Sequence, residues 1–598
     1  MKTLKQITND IILRSNKTRK EYLNFIENKE KIKRSNLACS NLAHAYATLD
    51  DNLKEKISKN ENEHLAIISS YNDVLSAHEP FKDYPLIIKQ ECIKDKVSVQ
   101  VASCTPSMCD GITQGYDGME ISLFSRDIIA MSTAVGLSHN IFDGAFFLGV
   151  CDKIVPGLLI GALRFGHLPS MFIPSGPMPS GLSNAQKSKA RELFAQGKLN
   201  KNDLLKTEMQ MYHNKGTCTF YGTANSNQVM VEILGLHTPN SAFVNPNTKL
   251  REKVLRYSAS YFAKGVKNNS ILPIGQMIDE KSIVNAIVAL MATGGSTNHT
   301  IHLIAIARAC GIIINWDDFN DISKITPLLA KVYPNGSADV NEFHKAGGLA
   351  YVIKELLEND LLHNDVNTVM GKGLEEYTKV PVLNKNEELE YVSVSKSADE
   401  NIIRDFKKPF SPSGGINLMQ GNIGRAVIKV SAVSEDNLYI KAPAIVFNSQ
   451  AELIKAFENN ELNKDFIAVV RFCGPRAIGM PELHKLIPPL GVLMQKGYKL
   501  ALITDGRMSG ASGKVPAAIH LSPEAQMGGN IAKIKTGDII EFDAANGKLN
   551  VLADDFANRE CDKIDLNKHN LGSGRELFVT LKNNASEVEH GAITFGGF

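Results

Sequence analysis

The chain has 598 residues, a formal charge of +2 at pH 7, 43% apolar residues and 22% charged residues. That composition fits a soluble globular protein with room for two large domains. The balanced charge gives no electrostatic case for nucleic acid or an anionic membrane as partner, and no run of about 18 apolar residues reads as a spanning helix.

Residues 1–60 read as polar helices forming a peripheral arm. They lack the apolar core of a signal peptide, and Asp10, Glu21, Glu27 and Glu30 argue against a transit peptide, so a cytoplasmic location is expected. From about residue 65, β-like runs alternate with helical ones. The runs are His64–Ile68, Lys96–Val101, Ala145–Val150 and Ser170–Pro174, with helical candidates at Ser125–Val135 and Leu158–Phe165. This alternation predicts a parallel-sheet α/β domain over 61–390, with ligands at the carboxyl ends of its strands. Ser282–Ala292 and Thr300–Cys310 read as two helices around Gly294-Gly295-Ser296-Thr297-Asn298. Polar sequence from about 375 to 410 looks like a linker. Beyond it, Leu438–Lys441, Ala444–Phe447, Phe466–Arg471, Leu500–Ile503, Ile539–Asp543 and Leu549–Ala553 read as strands, with Asn546-Gly547 as a hairpin turn. The expected architecture is α/β: a large N-terminal parallel-sheet domain plus a smaller, mainly β, barrel-like domain over 400–598.

Nine cysteines form an odd, sparse set that implies no disulfide framework and leaves thiols available as metal ligands. Cys151 lies in Gly149-Val150-Cys151-Asp152-Lys153, and Cys218 lies in Gly216-Thr217-Cys218-Thr219. Taken alone, each reads first as a small core residue. Together, a soft thiol beside a hard carboxylate is what adjacent iron–sulfur and divalent-cation sites require. Cys109-Asp110-Gly111 repeats the pairing, although Asp-Gly is also a turn former. Glu482, in Gly479-Met480-Pro481-Glu482, could ligate Mg²⁺, although such a Glu is more often solvated or caps a helix. Ser509 is flanked by glycines in Thr504-Asp505-Gly506-Arg507-Met508-Ser509-Gly510, without the spacing of a hydrolase triad. Gly294–Asn298 could present N–H groups to an anion, but it has neither a Walker lysine nor a dinucleotide fingerprint.

These motifs together resemble the dihydroxy-acid and sugar-acid dehydratases. The resemblance is carried by Ser125-Arg126-Asp127, Cys151–Gly157, Ser175-Gly176-Pro177-Met178, Gly294–Asn298, Gly479–Glu482 and Thr504–Gly510, in family order along nearly the whole chain. Asp117–Glu120, Gly136–Asn140, Tyr212-His213, Gly216–Asn225 and Asn315–Phe319 resemble the branch acting on 6-phospho-D-gluconate. The resemblance implies a hydro-lyase of the Entner–Doudoroff route. Non-phosphorylated sugar acids and branched-chain dihydroxy acids are the alternative substrates. It also implies an iron–sulfur cluster on Cys151 and Cys218. Ala77 stands where branched-chain members carry a third thiolate, a mark of the branch expected to hold a [4Fe-4S] cluster. Cys109 is the substitute inferred from its place beside Asp110. The Mg²⁺ (or Mn²⁺) ligands map to Asp110, Asp152, Lys153 and Glu482. The resemblance implies that Lys153 is converted to a carbamate there, because an ammonium has no lone pair. Ser509 matches the proton-abstracting serine, and a homodimer is implied. Arg425 and Lys514 are further candidates for the substrate phosphate. The readings from other classes are a zinc hydrolase and a non-catalytic metal- or phosphate-binding protein.

Overall fold

The computed structural model describes residues 1–28, 34–58, 62–509 and 513–597. Four strands form a parallel sheet: β1 (Glu63–Ser69), β2 (Val97–Cys104), β3 (Gly144–Leu148) and β4 (Ser170–Ile173), in the order β2-β1-β3-β4. β3 and β4 are buried along their whole length, as expected for parallel strands covered on both faces. Helices Tyr84–Lys94, Ser122–Leu137 and Ile154–Arg164 supply the crossovers. Gly157 lets the last two approach closely, because a Cβ there would lie 2.5 Å from the Arg126 carbonyl oxygen. Helices Glu280–Thr293 and His299–Ala309 add a second buried layer.

The stretch expected to be a linker contains structure. Two short hairpins, β5 (Asn367–Thr368) with β6 (Gly371–Lys372) and β7 (Lys379–Leu383) with β8 (Leu389–Ser393), lie there or just before it. The second is mostly half-exposed, so its polar composition reflects solvent contact rather than a lack of order.

Eight further strands close a barrel: β9 (Ile416–Gly421), β10 (Gly424–Lys429), β11 (Tyr439–Phe447), β12 (Phe466–Val470), β13 (Leu500–Thr504), β14 (Ala517–Ser522), β15 (Ile539–Asp543) and β16 (Lys548–Val551). Strands β11 to β14 run parallel. Such pairs need crossovers, and helices Gln450–Glu458 and Ile487–Gln495 provide two of them. β15 and β16 are the antiparallel pair around Asn546-Gly547.

The first helix, Leu4–Asn28, is not peripheral. Its Ile7, Ile11, Tyr22 and Ile26 belong to the core, and buried Arg19 donates to the carbonyls of Cys310 at 2.9 Å, Gly275 at 2.9 Å and Ile278 at 2.6 Å. Arg19→Met strands those buried acceptors, each worth about 1–3 kcal/mol. The variant is therefore expected to lose ellipticity at a clearly lower temperature on heating, and an unchanged melting profile would refute this anchoring role. Among the described residues, no helix is long and apolar enough to cross a membrane.

Candidate functional site

The motif residues gather beyond the carboxyl ends of strands from both halves of the chain. After β3 the backbone turns at Cys151, which adopts φ 73°. A non-glycine residue rarely holds that left-handed conformation without support. The support comes from Asn227, whose amide donates to the carbonyls of Cys151 at 3.0 Å and Asp152 at 2.8 Å. After β2 the chain reaches Cys109 and Asp110 at the start of a short helix, Asp110–Thr113. Cys218 sits in a loop that pairs with the Ser-Gly-Pro-Met segment. Met178 N–H donates to the Thr217 carbonyl, and Thr217 N–H donates to the Gly176 carbonyl, both at 3.0 Å. The Asn225 side chain closes that loop by donating to the carbonyls of Cys218 at 2.6 Å and Phe220 at 2.8 Å.

Asp110, Asp152 and Glu482 each bring a carboxylate oxygen to within 4.8 Å of the others. Fully buried Lys153 lies among them, in contact with Asp110 and 3.3 Å from Asp152. Arg507 braces the set, donating to Asp110 at 3.1 Å, to Glu482 at 2.8 Å and to the Met480 carbonyl at 2.8 Å. The Ser122 hydroxyl donates to the other Asp110 oxygen at 2.5 Å. Burial opposes ionisation of Asp110, but the charges of Lys153 and Arg507 outweigh it and hold this carboxyl well below the usual range. Burial pushes Asp152 up. Burial also pushes Glu482 up to about 7 against the pull of Arg507, with the charges of Asp110 and Asp152 adding to the rise. Three crowded acids offer the oxygen donors that a hard divalent ion takes, and Lys153 and Arg507 neutralise them in its place.

Cys109, Cys151 and Cys218 form the second set. Burial raises all three thiols, Cys109 to about 12. Cys151 lies within the electrostatic reach of both other sulfurs, and Cys109 within that of Cys218. Thiols that act on one another in this way would suit a soft metal centre, whose positive charge would favour their thiolate forms.

Ser509 is half-buried in the loop after β13, two residues beyond Arg507, while Gly510, Ala511 and Ser512 lie outside the described residues. A parallel bridge between Glu482 and Arg507 ties this loop to the Gly-Met-Pro-Glu segment. Gly479 has φ 79°, and a Cβ there would collide with the Glu120 carbonyl. Gly479→Ala is therefore expected to displace Glu482 and cost on the order of 2 kcal/mol or more. Equal activity and melting in this variant would contradict the role.

Other candidates are engaged elsewhere. Gly294–Asn298 is wholly buried, and its Gly294 (φ 65°) closes the preceding helix. Ser296 and Asn298 are bonded to Thr223 at 2.8 and 3.1 Å. That loop is a packing junction with no open N–H cradle. Arg425 is paired with Glu589 and Asp317. The Ser-Arg-Asp motif is structural here: Arg126 donates to the carbonyls of Gly591 and Ala592, each at 2.9 Å, while Asp127 accepts from Thr594. It fastens the C-terminal segment to the helix beneath the site. Sequence reasoning had singled out neither Asn227 nor the bracing role of Arg507, although Arg507 lies inside a quoted motif.

A parallel sheet and a barrel jointly present a buried carboxylate trio, with three cysteines in one another's electrostatic reach on the same loops, which is a site of the enzyme kind. Profiles described as dihydroxy-acid/6-phosphogluconate dehydratase N-terminal and C-terminal match residues 63–377 and 401–592. The chain belongs to this dehydratase family. It is 57% identical over 606 residues to a phosphogluconate dehydratase of Helicobacter pylori J99, covering 99% of each chain. It is 54% identical over 600 residues to that of Escherichia coli K12, again covering 99% of each. A dihydroxy-acid dehydratase of Acetivibrio thermocellus is 34% identical, over 81% of this chain and 86% of its own.

Proposed function

We propose that this protein removes water from 6-phospho-D-gluconate, giving 2-dehydro-3-deoxy-6-phospho-D-gluconate. The observation that carries the reading is the thiol trio beside the carboxylate trio, in a chain whose full-length relatives are named phosphogluconate dehydratases. Cys109, Cys151 and Cys218 would hold a [4Fe-4S] cluster. Asp110, Asp152, Glu482 and a carbamylated Lys153 would hold Mg²⁺ or Mn²⁺. When bound, these groups supply Lewis acidity, aiding departure of the C3 hydroxide and stabilising charge beside the carboxylate. Ser509 takes the C2 proton as the C3–O bond breaks. The lost proton and hydroxide make one water, and the resulting enol ketonises without net electron transfer. Arg507 holds Asp110 and Glu482 in register throughout, and Asn227 holds the strained Cys151 turn. A homodimer in the cytoplasm completes the reading.

The test is 2-keto acid formation by anaerobically purified protein with Mg²⁺, with D-gluconate and 2,3-dihydroxyisovalerate run beside 6-phosphogluconate. Selective turnover of 6-phosphogluconate is expected. Preference for either other acid would move the substrate and keep the chemistry. No turnover by protein with intact visible absorbance would overturn the reading.

A further inference from the structure

Two helices, Asn184–Ala195 and Lys201–Met211, form a hairpin beside Cys218. The first carries Lys187 and Arg191 one turn apart on one face. The Cys218 thiol lies in the field of both cations as well as that of Asp152. Arg191 is held by Glu208 of the second helix at 2.5 and 3.1 Å and reaches His484 Nε2 at 3.3 Å. His484 follows Glu482 by two residues, so this cluster adjoins the carboxylates through the same segment.

Lys187 is only 7% exposed, yet among the described residues no carboxylate lies within ion-pair distance of it. Its ammonium contacts the Tyr212 hydroxyl and lies 4.2 Å from the Tyr212 ring centre and 5.4 Å from that of Phe220. A buried cation without an ion-pair partner is costly: burial, helped by the charge of Arg191, lowers this amine to about 8 against the pull of Cys218 and Glu208. Tyr212 is 41% exposed, so the cluster opens to solvent at that edge. Among the described residues the buried Nδ1 of His484 also has no hydrogen-bond partner. Lys187 with the Tyr212 hydroxyl, and Arg191 with the ring of His484, are linked through one turn of helix and together hold the donors that a tetrahedral anion takes.

We infer that Lys187, with Arg191, Tyr212 and His484, binds the phosphoryl group of the substrate and so selects a phosphorylated sugar acid. The inference rests on the substrate reading above and assigns its phosphate end. With C1 to C3 at the carboxylate and thiol sets, the phosphate lies three carbons and an ester oxygen further on. The inference places it at the cationic hairpin, whose Lys187 and Arg191 act on the Cys218 thiol. It takes the place of Gly294–Asn298, a wholly buried junction, and of Arg425, which two carboxylates hold, whereas, among the described residues, Glu208 is the one carboxylate holding Arg191 and none pairs with Lys187.

The test compares KM and kcat for 6-phosphogluconate in the anaerobic holoenzyme and in Lys187→Met, Lys187→Gln and Lys187→Arg. D-gluconate serves as phosphate-free probe, by turnover or as competitive inhibitor. Loss of a charge-assisted phosphate contact is expected to raise KM for 6-phosphogluconate at least about tenfold in the Met and Gln variants, with kcat nearly kept. The gluconate constant stays level, and Lys187→Arg recovers most of the affinity. Lys187→Gln keeps a polar partner for Tyr212, so it tests the charge if the Met variant loses its visible absorbance. An unchanged KM, or an equal loss for both sugar acids, overturns the inference while leaving the dehydratase reading intact. Wild-type indifference to 6-phosphogluconate overturns the reading itself.

Discussion

Cys151→Ser is expected to yield folded protein without visible absorbance and without measurable turnover. Cys151 combines a left-handed backbone, full support from Asn227 and proximity to two other thiols. Serine preserves volume and backbone, but its hydroxyl is a harder and far weaker ligand for iron than a thiolate. Even outer partners of a metal ligand cost about 10- to 100-fold when removed, so loss of a direct ligand should exceed about 100-fold. Cys218→Ser should behave alike. Cys109→Ser decides the third ligand, because its sulfur was inferred from position alone and the structure places it in the field of Cys218. Cys310→Ser is the matched control: that thiol is fully buried, donates to the Ala307 carbonyl at 3.3 Å and should keep its absorbance. Absorbance and activity retained in both Cys151→Ser and Cys218→Ser would remove the cluster from this site.

The sheet strands and five of the barrel strands were legible because continuous apolar runs such as Phe146–Leu148 and Phe466–Val470 are short and end in glycine or cysteine turns, whereas β9, β10 and β14, in more mixed sequence, went unread. The helical crossovers that make the barrel half parallel were not, since helix Ile487–Gln495 contains two prolines and reads as a loop. Nor was the anchoring of the first helix, whose apolar stripe is diluted by lysine and asparagine on its other face. At the site, the acids and thiols could be read from local company, as Cys-Asp pairs and a Pro-Glu turn. Arg507 could not, because its bond to Asp110 joins residues 397 positions apart and only the fold creates it. Lys187 was invisible for a related reason: in a helix rich in lysine, only burial distinguishes it from solvent-facing neighbours.

Ser509→Ala is expected to keep the visible absorbance, metal content and melting behaviour while losing about 100- to 10,000-fold in kcat, the range supplied by a positioned proton acceptor. The physical case starts from acidity. A serine hydroxyl is a poor base unless cationic charge stabilises its alkoxide. Ser509 follows by two residues the buried guanidinium of Arg507, and the bridge from Arg507 to Glu482 fixes the strand leading to it. A divalent ion at the carboxylates would add positive charge to the same neighbourhood. The methyl of alanine fits wherever the serine fits, so a role in packing alone predicts little change. The hydroxyl of threonine restores the proton acceptor but adds bulk, and Ser509→Thr should recover part of the rate. Full turnover in Ser509→Ala would assign proton removal to another group. Loss of absorbance along with activity would instead make the loop a support for the cluster. Only retained absorbance with lost turnover places the hydroxyl at the C2 proton.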